Sequence, residues 1–424
     1  MTWWTGRGDL RPSPPPSARY AGATDATGRS PVRPVTIVAL AATAALAAAC
    51  SSEQQRTTPT PEPSASPSVS ESPSVSASPT PGPSARPGQD GGPPEVAGAV
   101  ARNLRVPWGL AFLDDGSALA TERDSWRLLH LTPRGEGWRT RDLGVLATGP
   151  GSGPSVEGGL LGIAVEPDGG EDPRVFVYVT TAEDNRVVSA TWEGGGFSEW
   201  EPVLTGIPRY DYHDGGRIAF GPDGHLYVAT GDAGQPELAQ DQESLAGKIL
   251  RMRPDGTPAP GNPDGDSLVY SSGHRNVQGL AWDDDGQLWA SEFGENSYDE
   301  LNRIEAGGNY GWPEVEGRAA DNPGADADDY VDPVAVWSTD EASPSGLAWA
   351  DGRLWLGALR GTRLWEVRIA DDGKATSTPH FVGEYGRMRT VVATPEGELW
   401  VTTSNHDGRG EPAQVDDRIL RLTW

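Results

Sequence analysis

Cysteine, positive charge, helical periodicity and long hydrophobic runs are all scarce in this chain. Its one cysteine, Cys50, excludes a disulfide within the chain, so stability must come from packing. The chain carries 34 Lys and Arg against 61 Asp and Glu, and this imbalance argues against binding to nucleic acid or to an anionic membrane surface. No segment has the apolar spacing of a sustained helix, and the longest apolar run, residues 35–49, is shorter than the roughly 20 residues that span a bilayer.

The first 94 residues do not have the composition of a folded domain. The apolar run of residues 35–49 follows Arg29 and Arg33, has the size of a signal-peptide core and ends in small residues before Cys50. This pattern resembles a bacterial lipobox and predicts a signal peptide over residues 1–50, with Cys50 as a lipid anchor outside the cytoplasm. The alternative is a plain secretion signal with an incidental cysteine. Residues 51–94, rich in Ser, Pro and Thr, predict a disordered linker.

Residues 95–424 contain six copies of one phrase. Each copy has a small-residue start, a short apolar run, an acidic residue followed by glycine, and a second apolar run. The acidic residues are Asp115, Asp168, Asp223, Asp285, Asp351 and Glu396. Because Asp-Gly suits the turn of a β-hairpin, each copy reads as the core of one propeller blade. The sequence therefore predicts an all-β fold, a six-bladed β-propeller, with working residues on the loops at one mouth of the ring.

A histidine and an aspartate flank the third copy of the repeat. His213 precedes its first strand and Asp232 follows its second strand, so a hairpin can bring the two together. A carboxylate beside an imidazole fixes its tautomer and raises its basicity, as general-base catalysis requires. The alternative interpretation is a surface-loop histidine near an unrelated turn aspartate.

Cationic and amide side chains precede other inner strands and favour an oxygen-rich anionic ligand. They are Arg275, Asn276 and Gln278 before the fourth blade, Arg360 in the fifth, and Arg387 and Arg389 before the sixth. Arg387 and Arg389 alternate along a strand, so both point to one side. A loop network that satisfies backbone groups, or ion pairing with the acidic surface, would explain the same residues without a ligand.

The segment from Ser291 to Gly317 gathers oxygen ligands. Glu295, Asp299 and Glu300 supply carboxylates, and Gly294 allows backbone carbonyls to turn inward. Oxygen clusters of this kind suit Ca²⁺, although the spacing is not that of an EF-hand. A solvated acidic loop is the alternative.

Three long motifs give the chain a family resemblance. H-x-G-G-R-[IL] begins at His213, G-H-R-N-x-Q-G-L begins at Gly273, and D-E-[IL]-N-x-I-x-x-G-x-N-Y-G-W-P begins at Asp299. Together and in this order they resemble the soluble quinoprotein glucose dehydrogenases and, more closely, the bacterial aldose sugar dehydrogenases. The resemblance implies a six-bladed propeller that uses pyrroloquinoline quinone (PQQ) and Ca²⁺, oxidises an aldose to a lactone, and passes electrons to an external acceptor.

The resemblance also implies a role for individual residues. His213 matches the catalytic base and Asp232 the carboxylate that orients it. The positions that match PQQ contacts are Glu157, Arg275, Asn276, Gln278, Arg360, Arg387 and Arg389. The carbonyls of Gly294 and Glu295 match ligands of the PQQ-bound Ca²⁺. A structural Ca²⁺ site is matched by Glu300 and Tyr310, with Asp299 beside them. Glu157 stands where the glucose enzymes have Gln, Arg360 where they have Lys, Glu295 where they have Pro and Tyr212 where they have Asp. These departures bear on substrate preference.

Two further functions fit a propeller of this kind. One is an extracellular binding module that kept the architecture and lost the cofactor. The presence of both His213 and Asp232 disfavours it. The other is a Ca²⁺-dependent lactonase, which would need several side-chain carboxylates around one ion rather than backbone carbonyls.

Overall fold

A computed structural model describes residues 92–146 and 156–424 of the chain. The predicted signal peptide, most of the predicted linker and Cys50 lie outside these residues. Within the described ranges, no helix has both the length and the apolar character needed to cross a membrane. Regular structure here consists of β-strands and of three short 3₁₀ helices, Pro236–Ala239, Ala319–Asp321 and Ala327–Asp329.

The described residues form 24 strands, numbered in chain order. The first twelve are β1 (Glu95–Ala101), β2 (Pro107–Phe112), β3 (Ala118–Glu122), β4 (Arg127–Arg134), β5 (Gly137–Val145), β6 (Leu160–Val165), β7 (Arg174–Thr180), β8 (Asn185–Thr191), β9 (Glu201–Ile207), β10 (Ile218–Phe220), β11 (Leu226–Ala229) and β12 (Lys248–Met252). The others are β13 (Val269–Ser272), β14 (Val277–Trp282), β15 (Leu288–Glu292), β16 (Tyr298–Arg303), β17 (Ala335–Ser338), β18 (Pro344–Ala350), β19 (Arg353–Ala358), β20 (Arg363–Ile369), β21 (Ala375–His380), β22 (Met388–Ala393), β23 (Leu399–Thr403) and β24 (Ile419–Thr423).

The strands form six antiparallel sheets of four, which confirms the predicted six-bladed β-propeller. Five blades are consecutive meanders that begin at β2, β6, β10, β14 and β18. The sixth combines β22, β23 and β24 with β1, whose Glu95 pairs with Thr423. Because the first and last strands share one sheet, the ring closes through backbone hydrogen bonds.

The six acidic-Gly turns lie where the repeat predicts them, between the first and second strands of each blade. Gly224, in the turn of the third blade, has φ +73°, a conformation that side chains other than glycine disfavour. In the first blade the Asp115 carboxylate accepts the Ser117 N–H at 2.8 Å, so the acidic residue stabilises its own turn. The repeated phrase therefore encodes the inner hairpin of each blade.

The core lies between neighbouring blades. Trp400 of β23 is 2% exposed and meets Phe112 and Trp138 of the first blade edge-on, with ring centroids 4.9 and 4.5 Å apart. Each buried ring of this size removes roughly 150–250 Å² from water and contributes several kcal/mol. Near the axis the strands approach so closely that a Cβ on Gly162 would lie 2.2 Å from the Gly216 carbonyl oxygen. This contact explains why a glycine stands at this point of the inner strand.

The meander determines which loops share a mouth. Successive strands run in opposite directions, so the loop that enters a blade and the loop between its second and third strands reach the same edge. His213, Arg275 and Arg387 lie before inner strands, whereas Asp232 and Asp407 follow second strands. The fold therefore places all five residues at one mouth of the ring.

Candidate active site

The side chains of His213 and Asp232 are in contact. His213 Nδ1 lies 2.7 Å from Asp232 Oδ1. Trp312 Nε1–H donates to Asp232 Oδ2 at 2.9 Å, and the Gly234 N–H donates to Oδ1 at 2.8 Å, so this buried carboxylate is fixed in place. An acceptor at Nδ1 favours the tautomer that carries its proton there and leaves a free lone pair on Nε2. This is the arrangement that a general base needs.

The backbone of His213 is held in an unusual conformation. Its φ of +61° lies in the left-handed region, which is uncommon for a residue with a side chain and is concentrated at functional sites. The His213 N–H donates to Glu157 Oε2 at 3.1 Å, and the Tyr212 ring packs edge-on against the imidazole. Gly231 makes room for this turn, since a Cβ there would lie 2.0 Å from the His213 carbonyl oxygen.

A cavity of about 410 Å³, here termed the base cavity, opens beside His213. Its polar lining includes both signs of charge: Glu157, Asp232, Arg275, Glu295 and Arg409. The His213 side chain is 15% exposed, so a ligand in this cavity can reach it. A cavity of this volume accommodates a small cofactor or a sugar.

Arg387 and Arg389 point to the same side, as their alternation predicts, and share one carboxylate. Arg387 Nε donates to Asp407 Oδ2 at 2.8 Å, and Arg389 Nη2 lies 3.4 Å from the same oxygen. Burial, and to a smaller extent the nearby Arg123, lowers the pKa of Arg389 to about 9. Burial alone would raise the pKa of Asp407, but the two arginines outweigh it and hold the carboxyl below its ordinary range. Two buried cations with one shared anion leave positive charge for a ligand.

A second, much smaller cavity lies at this cluster and is here termed the arginine cavity. Its volume is about 20 Å³, room for about one water molecule. Its polar lining is Arg123, Glu157, Gln278, Arg389, Asp407 and Arg409. Glu157, Arg409 and the apolar Val156 also line the base cavity, so Glu157 and Arg409 are the charged side chains between the two cavities.

The residues predicted before the fourth blade have different surroundings. Arg275 lines the base cavity, donates to the Gly294 carbonyl at 2.7 Å, and has a buried Nε with no hydrogen-bond partner. Gln278 Oε1 accepts from Arg389 Nη1 at 3.3 Å in the arginine cavity. The Asn276 side chain instead accepts the Gly215 N–H at 3.0 Å and is nearly fully buried. Arg275 and Gln278 therefore face the cavities, whereas Asn276 supports the backbone beside His213.

Arg360 lies at the outer side of the arginine cluster, where it lines a third cavity, of about 440 Å³, together with Arg387 and Arg409. Its side chain is 61% exposed, forms an ion pair with Asp340, and lines neither the base cavity nor the arginine cavity. Its predicted contact with a cofactor stays a prediction.

The loop that carries Gly294 and Glu295 is held by carboxylates. Glu316 Oε1 accepts four consecutive backbone N–H groups, from Glu295 to Tyr298, at 2.7–3.2 Å. Asp299 accepts the N–H groups of Gly294 and Ser343. Burial would raise the pKa of Glu316, but its four donors lower it, whereas burial raises the pKa of Asp299 to about 7. Glu316 is therefore a satisfied anion, and Asp299 is not.

Glu300 is another buried acid of this region. Burial, with Glu292 nearby, raises its pKa to about 8. Its oxygens accept the Gly317 N–H at 2.7 Å and Asn302 Nδ2 at 3.0 Å, while Asn302 Oδ1 is buried without a partner. A poorly compensated carboxylate beside an unpaired carbonyl oxygen is chemistry that suits a cation. The Tyr310 ring stacks on the His274 ring, with the ring centroids 4.7 Å apart. The Tyr310 backbone belongs to the same segment, from Ser291 to Gly317.

Within residues 92–146 and 156–424, no group of three or more His, Cys, Asp or Glu converges as a metal site. The predicted ligand set is mainly backbone carbonyls with one carboxylate, so it does not require such a group. The lactonase alternative, which needs several converging carboxylates, finds no such cluster among these residues.

Sequence reasoning missed several residues of this mouth: Arg123, Asp407, Arg409, Trp312 and Glu316. The first three follow the second strand of their blades, the same position that Asp232 occupies in its own blade. That shared position in the repeat was a usable signal. Trp312 and Glu316 belong to an irregular segment after β16, where no repeat or periodicity indicates a contact.

Comparisons with known proteins agree with this architecture and site. A model of the glucose / sorbosone dehydrogenase family matches residues 104–420. The PQQ-bound structure of an aldose sugar dehydrogenase from Streptomyces coelicolor is 49% identical, with a TM-score of 0.72, over 78% of this chain and 97% of that one. An oxidoreductase from Thermus thermophilus, described as a glucose dehydrogenase, is 43% identical, with a TM-score of 0.69, over 78% and 99% of the two chains.

A further relative with a named activity is the aldose sugar dehydrogenase YliI of Escherichia coli. It is 28% identical over 341 residues, which is 72% of this chain and 89% of that protein. The family model covers most of the propeller, and the predicted resemblance is confirmed. The chain belongs to the glucose / sorbosone dehydrogenase family.

Proposed function

We propose that this protein is a PQQ- and Ca²⁺-dependent aldose dehydrogenase that oxidises a sugar at C1 to a lactone. The observation that carries the proposal is the His213–Asp232 pair, 2.7 Å apart, in a cavity next to buried arginines that share a single carboxylate. A base and an anion pocket at one mouth are what a sugar dehydrogenase with an anionic cofactor requires. The PQQ-bound relative from Streptomyces coelicolor supports the identity of the cofactor.

The side chains present fit an anionic, planar cofactor. Arg387 and Arg389 retain positive charge after pairing with Asp407, and Arg275 has a buried Nε without a partner. These groups would bind carboxylates and carbonyl oxygens through charge-assisted hydrogen bonds. When bound, PQQ would supply a quinone that accepts hydride from C1 of the sugar.

His213 would act as the general base. Its Nε2 would take the proton from the anomeric hydroxyl as C1 loses hydride, so that a proton and a hydride leave the sugar together and the C1–O bond becomes the lactone carbonyl. Asp232 would hold the Nδ1 proton and stabilise the imidazolium that forms, and Trp312 would keep Asp232 oriented. Because Asp232 is fully buried, water cannot displace it from the imidazole.

The loop at Gly294 would hold Ca²⁺ next to the cofactor. The Gly294 and Glu295 carbonyls would be its ligands, and Glu316 would keep the loop in place through its four backbone hydrogen bonds. Glu300, with Asp299 beside it and the Tyr310 backbone, would contribute to a second, structural Ca²⁺ site, for which the unpaired Asn302 oxygen is a further donor. An external acceptor would then reoxidise the cofactor.

A lipid on Cys50 would attach the protein to a membrane outside the cytoplasm and place the propeller at the end of a Ser/Pro/Thr-rich linker. This part of the proposal rests on sequence alone. Replacing Cys50 by Ser should release the protein from the membrane fraction.

Reconstitution tests the proposed activity directly. Purified apo-protein receives PQQ and Ca²⁺, and aldose-dependent reduction of a redox dye is followed. The proposal expects activity only when protein, PQQ, Ca²⁺ and sugar are all present. PQQ binding without any sugar oxidation across a panel of aldoses would contradict the enzymatic assignment, and absence of PQQ binding would favour the binding-module alternative.

A further inference from the structure

An ion pair between Glu157 and Arg409 crosses the mouth of the propeller. Arg409 Nη1 lies 2.8 Å from Glu157 Oε1, although the residues are 252 positions apart in the chain. Glu157 precedes β6 in the second blade, and Arg409 lies between β23 and β24 in the sixth. Both side chains line the base cavity and the arginine cavity, so the pair separates His213 from the buried arginines.

Glu157 is a permanent negative charge at this point. Its side chain is 18% exposed, and its second oxygen accepts the His213 N–H. Burial would raise its pKa, but the His213 N–H and Arg409 outweigh burial and lower it. Glu157 therefore supports the backbone of the base and, at the same time, faces a pocket whose arginines attract anions.

Arg409 belongs to the arginine cluster through Asp407. Asp407 Oδ1 accepts the backbone N–H of Arg409 at 3.0 Å, while its Oδ2 contacts the guanidinium groups of Arg387 and Arg389. One carboxylate thus pairs with two guanidinium groups and fixes the turn that carries the third arginine. The guanidinium of Arg409 differs from those of Arg387 and Arg389 because its side chain is 56% exposed, whereas theirs are almost fully buried. It can reorient without disturbing the core.

The arginine cavity is too small to hold a planar cofactor by itself, whereas the base cavity is large enough for one. The arginine cavity has room for about one water molecule, and the base cavity, at about 410 Å³, lies on the other side of the ion pair. A ligand that contacts both the buried arginines and His213 must displace the side chains between them. Of these two, Glu157 is tied to the His213 backbone, so Arg409 is the one free to move.

We propose that Arg409 is a further cofactor-binding residue, which pairs with Glu157 before the cofactor binds and then moves to a carboxylate of the anionic cofactor. This inference rests on the proposed function. It predicts that Glu157 competes with the cofactor for Arg409, so the two side chains affect cofactor affinity in opposite directions.

Four variants test the inference by titration calorimetry with PQQ at saturating Ca²⁺, with thermal unfolding as a check on folding. Arg409→Gln should weaken PQQ binding by about tenfold to a hundredfold, the worth of one charge-assisted hydrogen bond. Glu157→Gln keeps an acceptor for the His213 N–H but releases Arg409, and should bind PQQ more tightly than wild type. The double variant should bind more weakly than wild type. Arg421→Gln, which breaks an ion pair with Glu398 away from both cavities, is the matched control and should bind as wild type does.

The outcomes separate this inference from the proposed function. Unchanged affinity in Arg409→Gln, or no gain in Glu157→Gln, overturns it. A double variant that regains wild-type affinity also overturns it, because Arg409 would then serve only to neutralise Glu157. If wild-type protein does not bind PQQ, both the proposed function and this inference are refuted. If wild type binds PQQ and Arg409→Gln binds it equally well, only the inference is refuted.

Discussion

The arginine cluster and the acidic loop at the same mouth both bury charges of one sign, but they hold them in different ways. Arg387 and Arg389 form ion pairs with one side-chain carboxylate, that of Asp407, which cannot neutralise both of their charges. The acids of residues 292–317 are held largely by neutral donors, mostly backbone N–H groups. Neutral donors satisfy hydrogen bonds without supplying countercharge, so an acid with few of them stays uncompensated.

The pKa shifts express this difference. Burial lowers the pKa of Arg389 to about 9 and raises those of Asp299 and Glu300 to about 7 and about 8. In the acidic loop Glu316, with four backbone donors on one oxygen, instead has a lowered pKa. One side of the mouth therefore lacks an anion and the other lacks a cation. Perturbed groups of opposite sign at one mouth of the ring are typical of a site that binds ligands.

The base lies at the same mouth as these two regions, and its loss should have the largest effect. His213→Ala should lower turnover of the reconstituted enzyme by about 10²–10⁴, the usual contribution of a general base. PQQ affinity should change little, because His213 serves proton transfer. Steady-state kinetics and PQQ titration measure the two effects separately. Near-wild-type turnover would refute the assignment of the base.

The arginine side of the comparison is tested by its two buried members against an exposed one. Replacing Arg387 and Arg389 together by Ala should weaken PQQ binding by about 10²–10⁴, since each charge-assisted hydrogen bond contributes roughly 1.5–3 kcal/mol. Arg360→Ala should have a much smaller effect, because that side chain is exposed and paired with Asp340. Calorimetric titration of both variants decides the point. An equal loss of PQQ affinity in Arg360→Ala would show that the buried arginines are not the main PQQ-binding cations.

The acidic side is tested by pH in the presence of a chelator. Glu300 has a folded pKa of about 8 against an ordinary 4.5, so the unfolded chain holds fewer protons between these values. Its contribution to stability is complete below pH about 4.5 and is lost as pH rises toward 8. Glu300→Gln, which cannot ionise, should be more stable relative to wild type at pH 8 than at pH 5, by on the order of 2 kcal/mol. Denaturant titrations at both pH values measure this difference.

Ca²⁺ should favour wild type over Glu300→Gln at pH 8, the opposite of the difference in stability expected with a chelator. With Ca²⁺ present, wild type should gain stability at pH 8 by mass action, whereas Glu300→Gln should gain less because it has lost a charged ligand. Equal stabilisation of the two proteins by Ca²⁺ would show that Glu300 does not contribute to a cation site.

The sequence predicts the blades well because the fold repeats. The acidic-Gly turn occurs six times, and each occurrence marks the inner hairpin of a blade, so one physical rule suffices for the whole ring. The contact between His213 and Asp232 is predictable for the same reason, since both flank one hairpin. The alternation of Arg387 and Arg389 follows from the period of a strand.

What the sequence does not predict depends on contacts between distant loops. Asp407 contacts Arg387 and Arg389, yet the choice of this acid among 61 is decided by loop geometry. Arg409 meets Glu157 across 252 residues, and Trp312 reaches Asp232 from an irregular segment. Asn276 and Arg360 show the opposite case, because their residue types suit a ligand while their side chains have partners within the protein. Motif matching identifies the position of a side chain but not its partner.

The central claim is that the arginine cluster and the acidic loop form one site, which binds PQQ and Ca²⁺ together. The most direct test is the coupling between these two ligands in wild-type protein without any sugar. PQQ is titrated by calorimetry into apo-protein at several fixed Ca²⁺ concentrations, and Ca²⁺ is titrated with and without PQQ. Because coupling between two ligands is reciprocal, each should strengthen the other by the same factor, and chelation should weaken PQQ binding. A PQQ affinity that does not change with Ca²⁺ would contradict the claim.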